Sequence, residues 1–126
     1  MAKHNEIGKI GENIAKTFLM KHGFSIKNQN YFIKHGEIDI VAEKDNILHF
    51  IEVKSAEIKD LKNINNLKIK PEDNMTFWKK KKLKRTIDVY IYQNKIEGRV
   101  FIDLLCVYIN QETREGRVKF VENIEL

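Results

Sequence analysis

The sequence predicts one α/β or α+β domain across residues 1–126, with a mixed β-sheet flanked by helices. Its 126 residues, 42% hydrophobic and 33% charged, suit a globular domain with a single core. Apolar residues recur at helical spacing in two segments and form strand-like runs elsewhere, in the order helix, three strands, helix, two strands. The strand predicted at 98–110 is apolar on both faces and therefore belongs inside the sheet.

The first helix and the first strand follow from the spacing of apolar residues. Residues 5–22 predict an amphipathic helix, and Gly23 is a suitable C-terminal stop. The inner face of this helix is marked by Ile7, Ile10, Ile14, Phe18 and Leu19. Residues 24–33 then predict a first strand, although the alternation there is weak.

A β-hairpin is predicted next, over residues 34–56. Two apolar runs are joined at the segment EKDN (43–46), in which Asp45 and Asn46 suit a tight turn. Residues 57–71 are rich in lysine and asparagine without clear periodicity, so they predict a long exposed loop.

A second helix is predicted to begin near PEDNMTFW (71–78). Asp73 or Asn74 is the expected N-cap, because a short polar side chain can accept a hydrogen bond from a free backbone N–H there. The expected inner stripe is Thr76, Lys79 or Lys80, Leu83, Ile87, Tyr90 and Ile91. After the central strand, residues 116–126 predict a final strand at an edge of the sheet.

Charge and composition restrict the class of partner. The formal net charge is +5 and the pI about 9.2, which favours polyanions, nucleic acid above all. Lysine, asparagine and isoleucine are abundant along the whole chain, so net charge alone is ambiguous, but residues 78–85 contain six cations. The chain has no apolar run of about 18 residues and no secretory signal pattern, so we expect a cytoplasmic protein without a membrane span. The one cysteine, Cys106, is expected in the core.

Charged residues in the hairpin either form a metal site or are solvated ion pairs, and their spacing alone leaves both open. With a two-residue turn at 45–46, Asp39 lies directly opposite Glu52, and Lys54 projects from the same face. Two such carboxylates repel by about 4 kcal/mol at 4 Å and a dielectric near 20. A divalent cation reverses that sign, and Mg²⁺ commonly takes one or two carboxylates plus substrate phosphates. The alternative is a set of solvated ion pairs, and a one-residue slip would put the acids on opposite faces.

Three short motifs carry a family resemblance: Gly-Glu at 11–12, Gly-Glu-Ile-Asp at 36–39 and Glu-Val-Lys at 52–54. In this order and spacing they resemble the YraN-like family of uncharacterised bacterial proteins, in the PD-(D/E)XK nuclease superfamily. The resemblance spans residues 8 to about 124. It implies a restriction-endonuclease-like fold, similar to that of archaeal Holliday-junction resolvases, and a metal-dependent phosphodiesterase site.

The resemblance also implies a role for each acid and for the motif lysine. Asp39 and Glu52 would bind Mg²⁺ or Mn²⁺, and Lys54 would polarise the attacking water or stabilise charge on the phosphate. Glu12 would complete the metal shell, although an ordinary acid on a helix surface is an equal alternative. Glu37, which the predicted register turns toward Lys54, would orient that amine.

Cations of the second helix are the expected contacts with DNA phosphates: Lys79, Lys80, Lys82 and Arg85. Asp103 also matches the family but receives no chemical role, and none of the four histidines is assigned one. Two functions stay open: a Mg²⁺-dependent endonuclease for branched or single-stranded DNA in repair or recombination, and a nucleic-acid-binding accessory module with little turnover. A structural interaction protein is a third alternative, and a homodimer is expected by analogy with junction resolvases.

Overall fold

The described residues of this computed structural model, 2–58, 75–110 and 112–126, form a five-stranded mixed sheet with a helix on each face. The order of elements is the predicted one. In chain order they are α1 (Ala2–Lys21), β1 (Ser25–Ile33), β2 (Gly36–Lys44), β3 (Ile47–Ile58), α2 (Phe77–Gln93), β4 (Val100–Asn110) and β5 (Gly116–Val121).

The strands lie in the sheet in sequence order, β1-β2-β3-β4-β5. Neighbours are antiparallel except β3 and β4, which are parallel and are connected through α2. A parallel pair needs such a crossover because the chain must return to the same end of the sheet. β4 is therefore interior and β5 lies at an edge, and both predictions are confirmed.

Two apolar layers fill the space between the sheet and the helices. Under α1, the layer includes Ile7, Ala15, Leu19, Ile40, Ala42, Ile51, Leu105, Val107 and Ile109. Under α2, it includes Ile38, Val41, Phe50, Leu83, Ile87, Tyr90, Leu104, Cys106 and Tyr108. Alternation along β4 divides its residues between the layers, which is why the strand is apolar on both faces. The core position predicted for Cys106 is confirmed.

The predicted hairpin is confirmed in its turn and in most of its register. Asp45 and Asn46 have φ of 53° and 64°, as a type I′ turn requires. The pairs Lys44–Ile47 and Val41–Phe50 follow, and the ladder continues to Ile40–Ile51. β3 then runs on, paired with β4 as far as Ile58. We call the point beyond Ile40–Ile51, where β2 no longer pairs with β3, the fork.

The start of α2 differs from the prediction. Thr76 is the N-cap, with its hydroxyl accepting a hydrogen bond from the Lys79 N–H at 3.3 Å. The predicted cap residues 73 and 74 lie outside the described residues. A threonine directly before the helix competes well with more distant caps, since only an adjacent side chain reaches the free N–H groups.

The inner stripe of α2 also differs from the prediction. Its buried residues are Leu83, Thr86, Ile87 and Tyr90. Lys79 and Thr76 are exposed and Lys80 is half-buried, because the helix begins to pack on the sheet only from its second turn. Neither helix in the described part of the chain has the length and apolar content to cross a membrane.

The predicted start of the loop at 57–71 is wrong. Glu57 and Ile58 belong to β3, because β4 supplies a pairing partner along the whole of that strand. The rest of the predicted loop lies outside the described residues.

A buried polar pair connects the sheet to the C-terminal segment. The His49 Nδ1 lies 2.6 Å from the Asp103 Oδ2, and the Asn123 N–H donates to the other oxygen of Asp103 at 2.9 Å. The rings of Phe24 and Phe101 pack edge-on against the His49 imidazole. The role left open for Asp103 in the sequence is therefore structural: its carboxylate holds two other segments against β4.

Candidate active site

The alternation of side chains in β2 shifts phase at Asp39. Residues two apart in a strand normally face the same way. Ile38, however, packs in the layer under α2, whereas Ile40 packs in the layer under α1. Asn30, in the corresponding part of β1, has a left-handed φ of 51°. Asp39 therefore lies at an irregular point of β2, close to an irregular residue of β1.

At the fork, the Asp39 side chain accepts a hydrogen bond from a β3 backbone N–H group, in place of a carbonyl oxygen of β2. Its Oδ2 accepts a hydrogen bond from the Val53 N–H at 2.8 Å. Its carboxyl group also hydrogen-bonds to that of Glu52. The two acids predicted to meet are thus in contact.

The contact is not the predicted rung of the hairpin. The antiparallel ladder stops at Ile40–Ile51, one position before Asp39 and Glu52 would pair. Glu52 follows the regular alternation of β3 and faces α2. Asp39 lies at the phase shift, and its side chain contacts the Glu52 carboxyl group from the α1 side of the sheet. The expectation that both acids share one regular face is therefore wrong, although their proximity is correct.

Two clefts flank the acid pair, one on each face of the sheet. The α1-side cleft, about 660 Å³, is lined by Ile7, Gly8, Lys9, Glu12, Asp39, Val53, Ser55 and Glu57. The α2-side cleft, about 220 Å³, is lined by Gly36, Glu37, Glu52, Lys54, Met75, Lys79, Lys82 and Leu83. The Asp39–Glu52 contact lies between them.

The α2-side cleft brings together most of the residues predicted for the site. Lys54 lies 3.7 Å from Glu52, between the Lys54 Nζ and the Glu52 Oε1. Glu37, which was expected to face Lys54, lines the same cleft. Lys79 and Lys82 supply its basic wall, while Lys80 and Arg85 are outside the lining of both clefts.

Glu12 lines the other cleft, with Asp39. Its charge raises the pKa of the Asp39 carboxyl. The described part of the chain contains no group of three or more His, Cys, Asp or Glu side chains placed to hold a metal ion. The three residues of the predicted shell do not line one cleft, because Glu12 and Asp39 line the α1-side cleft and Glu52 lines the α2-side cleft.

Burial dominates the titration of Asp39. It raises the pKa of this carboxyl to about 6, against the opposing effect of the Val53 N–H. The negative charges of Glu37 and Glu12 contribute to this rise in the pKa. A carboxylate taken out of water favours its neutral form unless hydrogen bonds or cations compensate.

The pKa of Glu52 is raised more than that of Asp39. Burial and then the charge of Asp39 raise its pKa to about 8, and the nearby Lys54 ammonium lowers it. The hydrogen bond between the acids favours protonated Glu52 as the donor and ionised Asp39 as the acceptor. At neutral pH the pair therefore shares one proton.

Glycines of the two motifs allow the helices to approach the fork. A Cβ at Gly11 would overlap the Ser55 hydroxyl and lie 2.9 Å from the Ser55 Cβ. A Cβ at Gly36 would overlap the Thr86 hydroxyl and lie 3.3 Å from the Lys82 carbonyl oxygen. Gly11 thus lets α1 bring Glu12 to its cleft, and Gly36 lets α2 bring Lys82 to the other.

Three parts of the site were missed in the sequence. The Val53 N–H holds Asp39, but a backbone group leaves no signature in the residue type. Ser55, which lines the α1-side cleft, packs directly against Gly11, and a small residue directly after the Glu-Val-Lys motif could have been noticed. Met75 lines the α2-side cleft from just before α2, where the sequence shows no periodic pattern.

Comparison with known proteins establishes the family. A family model described as "Uncharacterised protein family UPF0102" matches residues 11–114, which include all three motifs. The chain belongs to the UPF0102 family. This agrees with the resemblance to YraN-like proteins, and the restriction-endonuclease-like fold agrees with the arrangement of strands and helices.

Relatives in the UPF0102 family match over nearly the whole chain. A UPF0102 protein of Helicobacter hepaticus is 38% identical over 119 residues, covering 94% of this chain and 94% of the relative. One of Flavobacterium psychrophilum is 32% identical over 123 residues, covering 98% and 96%. One of Campylobacter fetus is 36% identical over 114 residues, covering 90% and 88%. The family-model match over residues 11–114 includes every residue that lines the α2-side cleft and all those that line the α1-side cleft except Ile7, Gly8 and Lys9.

Proposed function

We propose that the protein is a Mg²⁺-dependent DNA endonuclease that hydrolyses phosphodiester bonds at the Asp39–Glu52 pair. The observation that carries the proposal is the contact of two half-buried carboxyl groups with an ammonium group 3.7 Å from one of them. A binding surface needs cations, but it gains nothing from two acids forced together. A site for a divalent ion does gain from them, because the ion binds to both carboxylates.

The donor set fits Mg²⁺ or Mn²⁺. Both ions prefer oxygen ligands, and Mg²⁺ is commonly held by one or two carboxylates plus substrate phosphates. Asp39 and Glu52 would hold the ion, and the proton that they share would leave. Glu12 would act on Asp39 through its charge, from the α1-side cleft.

The other groups of the site would each have a separate role in the reaction. The ion, when bound, supplies neutralisation of the phosphate and a lowered pKa of bound water. The Val53 N–H fixes the Asp39 carboxylate so that it needs no reorganisation. Lys54 offers a compact ammonium donor for charge that develops on the phosphate. Lys79 and Lys82 hold the neighbouring backbone phosphates along the α2-side cleft.

The test is cleavage of a panel of labelled DNAs, single-stranded, branched and duplex, with Mn²⁺ or Mg²⁺. The wild-type chain should cut at least one substrate, and Asp39→Ala and Lys54→Ala should abolish cutting. Glu43→Gln is the matched control, because Glu43 lies on the same strand beside the hairpin turn and should leave cutting unchanged. Absence of product from every DNA, with equal DNA affinity with and without metal, would contradict the proposal and favour the accessory binding module.

A second measurement detects the ion without DNA. A ligand that binds only the folded state raises the free energy of unfolding, by about 2.7 kcal/mol at a hundred times its Kd. Mg²⁺ or Mn²⁺ should therefore raise the melting temperature of the wild-type chain, and Asp39→Asn and Glu52→Gln should remove that rise. An equal rise in both variants would place the ion elsewhere.

A further inference from the structure

Two aromatic side chains stand exposed at the start of α2. Phe77 is 70% and Trp78 is 66% exposed, and their ring centroids lie 5.4 Å apart with planes at 77°. Large aromatic residues are normally buried, and adjacent exposed ones mark a contact surface. We call this pair the aromatic platform.

Cations lie close to the aromatic platform in the sequence, and one of them contacts its tryptophan. The Lys81 Nζ lies 5.6 Å from the centre of the Trp78 ring. Residues 78–85 carry six cations, so an apolar protein partner that covered the rings would also have to desolvate positive charge. A ligand that offers both flat apolar faces and negative charge fits better. Single-stranded nucleic acid has this combination, with bases that stack on aromatic rings and phosphates that bind lysine.

The aromatic platform lies next to two lysines that line the α2-side cleft. Lys82 follows Trp78 by four residues, so the two side chains lie one above the other on the same face of the helix. Lys79, directly after Trp78, also lines the cleft. Glu52 and Lys54 line the same cleft. A strand held on the rings can therefore continue along the two lysines to the acid pair.

We infer that Phe77 and Trp78 stack unpaired bases of a single-stranded DNA segment whose backbone enters the α2-side cleft. The direction of the strand rests on the proposed function, since the acid pair is the place where it would be cut. Bases inside a duplex are already stacked on each other and cannot use the rings. The platform therefore selects substrates with unpaired bases, either single strands or the open parts of branched DNA.

Trp78 is the one tryptophan of the chain, so its fluorescence reports contact directly. In EDTA, which prevents cutting, an oligothymidine should quench this fluorescence and a duplex of equal length should not. By anisotropy of labelled DNA, Trp78→Ala should weaken binding of the single strand about 5- to 150-fold, the expected loss of one stacked base. Binding of the duplex should change by less than about twofold. Trp78→Phe should restore most of the affinity.

The matched control is Tyr92→Ala. Tyr92 is 85% exposed at the opposite end of the same helix, far from the α2-side cleft, so its removal should leave binding unchanged. Circular dichroism checks that both variants fold.

The outcomes separate the inference from the proposed function. Unchanged single-strand affinity in Trp78→Ala overturns the inference and leaves the nuclease proposal intact. The inference is also overturned if Trp78→Ala affects only binding to vesicles of anionic lipid. Weakened single-strand binding together with no cutting of any DNA overturns the nuclease proposal and supports the aromatic platform.

Discussion

Asp39 and Glu52 hold one proton between them because burial brings two acids into contact without enough positive charge nearby. Lys54 offsets part of the repulsion, but the pKa of Glu52 is still raised to about 8. The Val53 N–H favours the ionised form of Asp39, which fixes which acid donates and which accepts. This pair is therefore the point at which pH and a divalent cation should act on the molecule.

The first prediction concerns the stability of the metal-free protein. Both acids have raised pKa values in the folded state, about 6 and about 8, so the folded chain keeps protons that the unfolded chain has lost. Their contribution to stability is fully present below about pH 4 and is lost as the pH rises through 6 and 8. Each retained proton contributes at most about 1.4 kcal/mol per pH unit to this decline. Urea unfolding in EDTA at several pH values measures it.

Glu52→Gln isolates the contribution of the acid pair. The variant cannot ionise at that position, so its free energy of unfolding should fall less than that of the wild type between pH 6 and 8. All other titrating groups are the same in the two proteins, and the difference reports the pair. Parallel curves for the variant and the wild type would show that the acids do not share a proton.

Asp103 supports a second prediction, on packing. It is 0% exposed and accepts hydrogen bonds from His49 and from the Asn123 N–H. Asp103→Ala leaves the buried His49 without its partner, and an unsatisfied buried polar group costs about 1–3 kcal/mol. Chemical denaturation should show this loss, whereas Asp88→Ala, at an exposed position of α2, should change stability by less than about 0.5 kcal/mol. A neutral effect of Asp103→Ala would contradict the structural role.

Among the elements, the hairpin shows how far a sequence can predict this fold. Asp45 and Asn46 fixed the turn, and the alternation of apolar residues fixed the register as far as Val41–Phe50. The phase shift at Asp39 could not be predicted in this way. It coincides with a left-handed conformation of Asn30 in the neighbouring strand, which the alternation of apolar residues does not indicate.

Helix α1 provides a third prediction, from two of its glycines. A Cβ at Gly11 would overlap Ser55 on β3, whereas a Cβ at Gly8 would meet nothing within 4 Å. Gly11→Ala should therefore destabilise the protein by about 1–3 kcal/mol through overpacking. Gly8→Ala is the matched control and should stabilise it by up to about 1 kcal/mol, because alanine favours a helix. Thermal unfolding of both variants measures the contrast, and equal effects would contradict the close approach of α1 to β3.

At the scale of the whole molecule, the acid pair lies within a chain whose net charge is +5. Binding of DNA to such a surface releases counterions, so affinity falls as salt rises. The fourth prediction is that the double variant Lys79→Ala, Lys82→Ala lowers the slope of log K against log salt for single-stranded DNA by about 1 to 1.5. Filter binding at four salt concentrations measures the slope.

The control for the salt slope is Lys27→Ala. Lys27 is an exposed cation on β1, outside the lining of both clefts. Its removal lowers the net charge but should leave the slope nearly unchanged. If Lys27→Ala and the cleft variant reduce the slope equally per charge removed, the net charge of the protein determines DNA binding, and the lysines of the α2-side cleft have no special role.

The sequence predicted the order of elements, the mixed sheet and the proximity of Asp39 and Glu52, because local periodicity and motif spacing contain that information. It did not predict that Glu12 and Lys54 line clefts on opposite faces. That separation depends on where each helix packs against the sheet, which local patterns do not specify. The expected homodimer stays a prediction that analytical ultracentrifugation can check.

The two-residue turn of the hairpin sets a length that the acid pair depends on. Asp39 lies six positions before Asp45, roughly 20 Å along an extended strand. One inserted residue at the turn would move β2 by a step against β3, and the Asp39 carboxylate would face a neighbour of Val53 in place of its N–H. Insertions in other surface loops should be tolerated. In the turn between β2 and β3, substitutions should be tolerated better than a change of length.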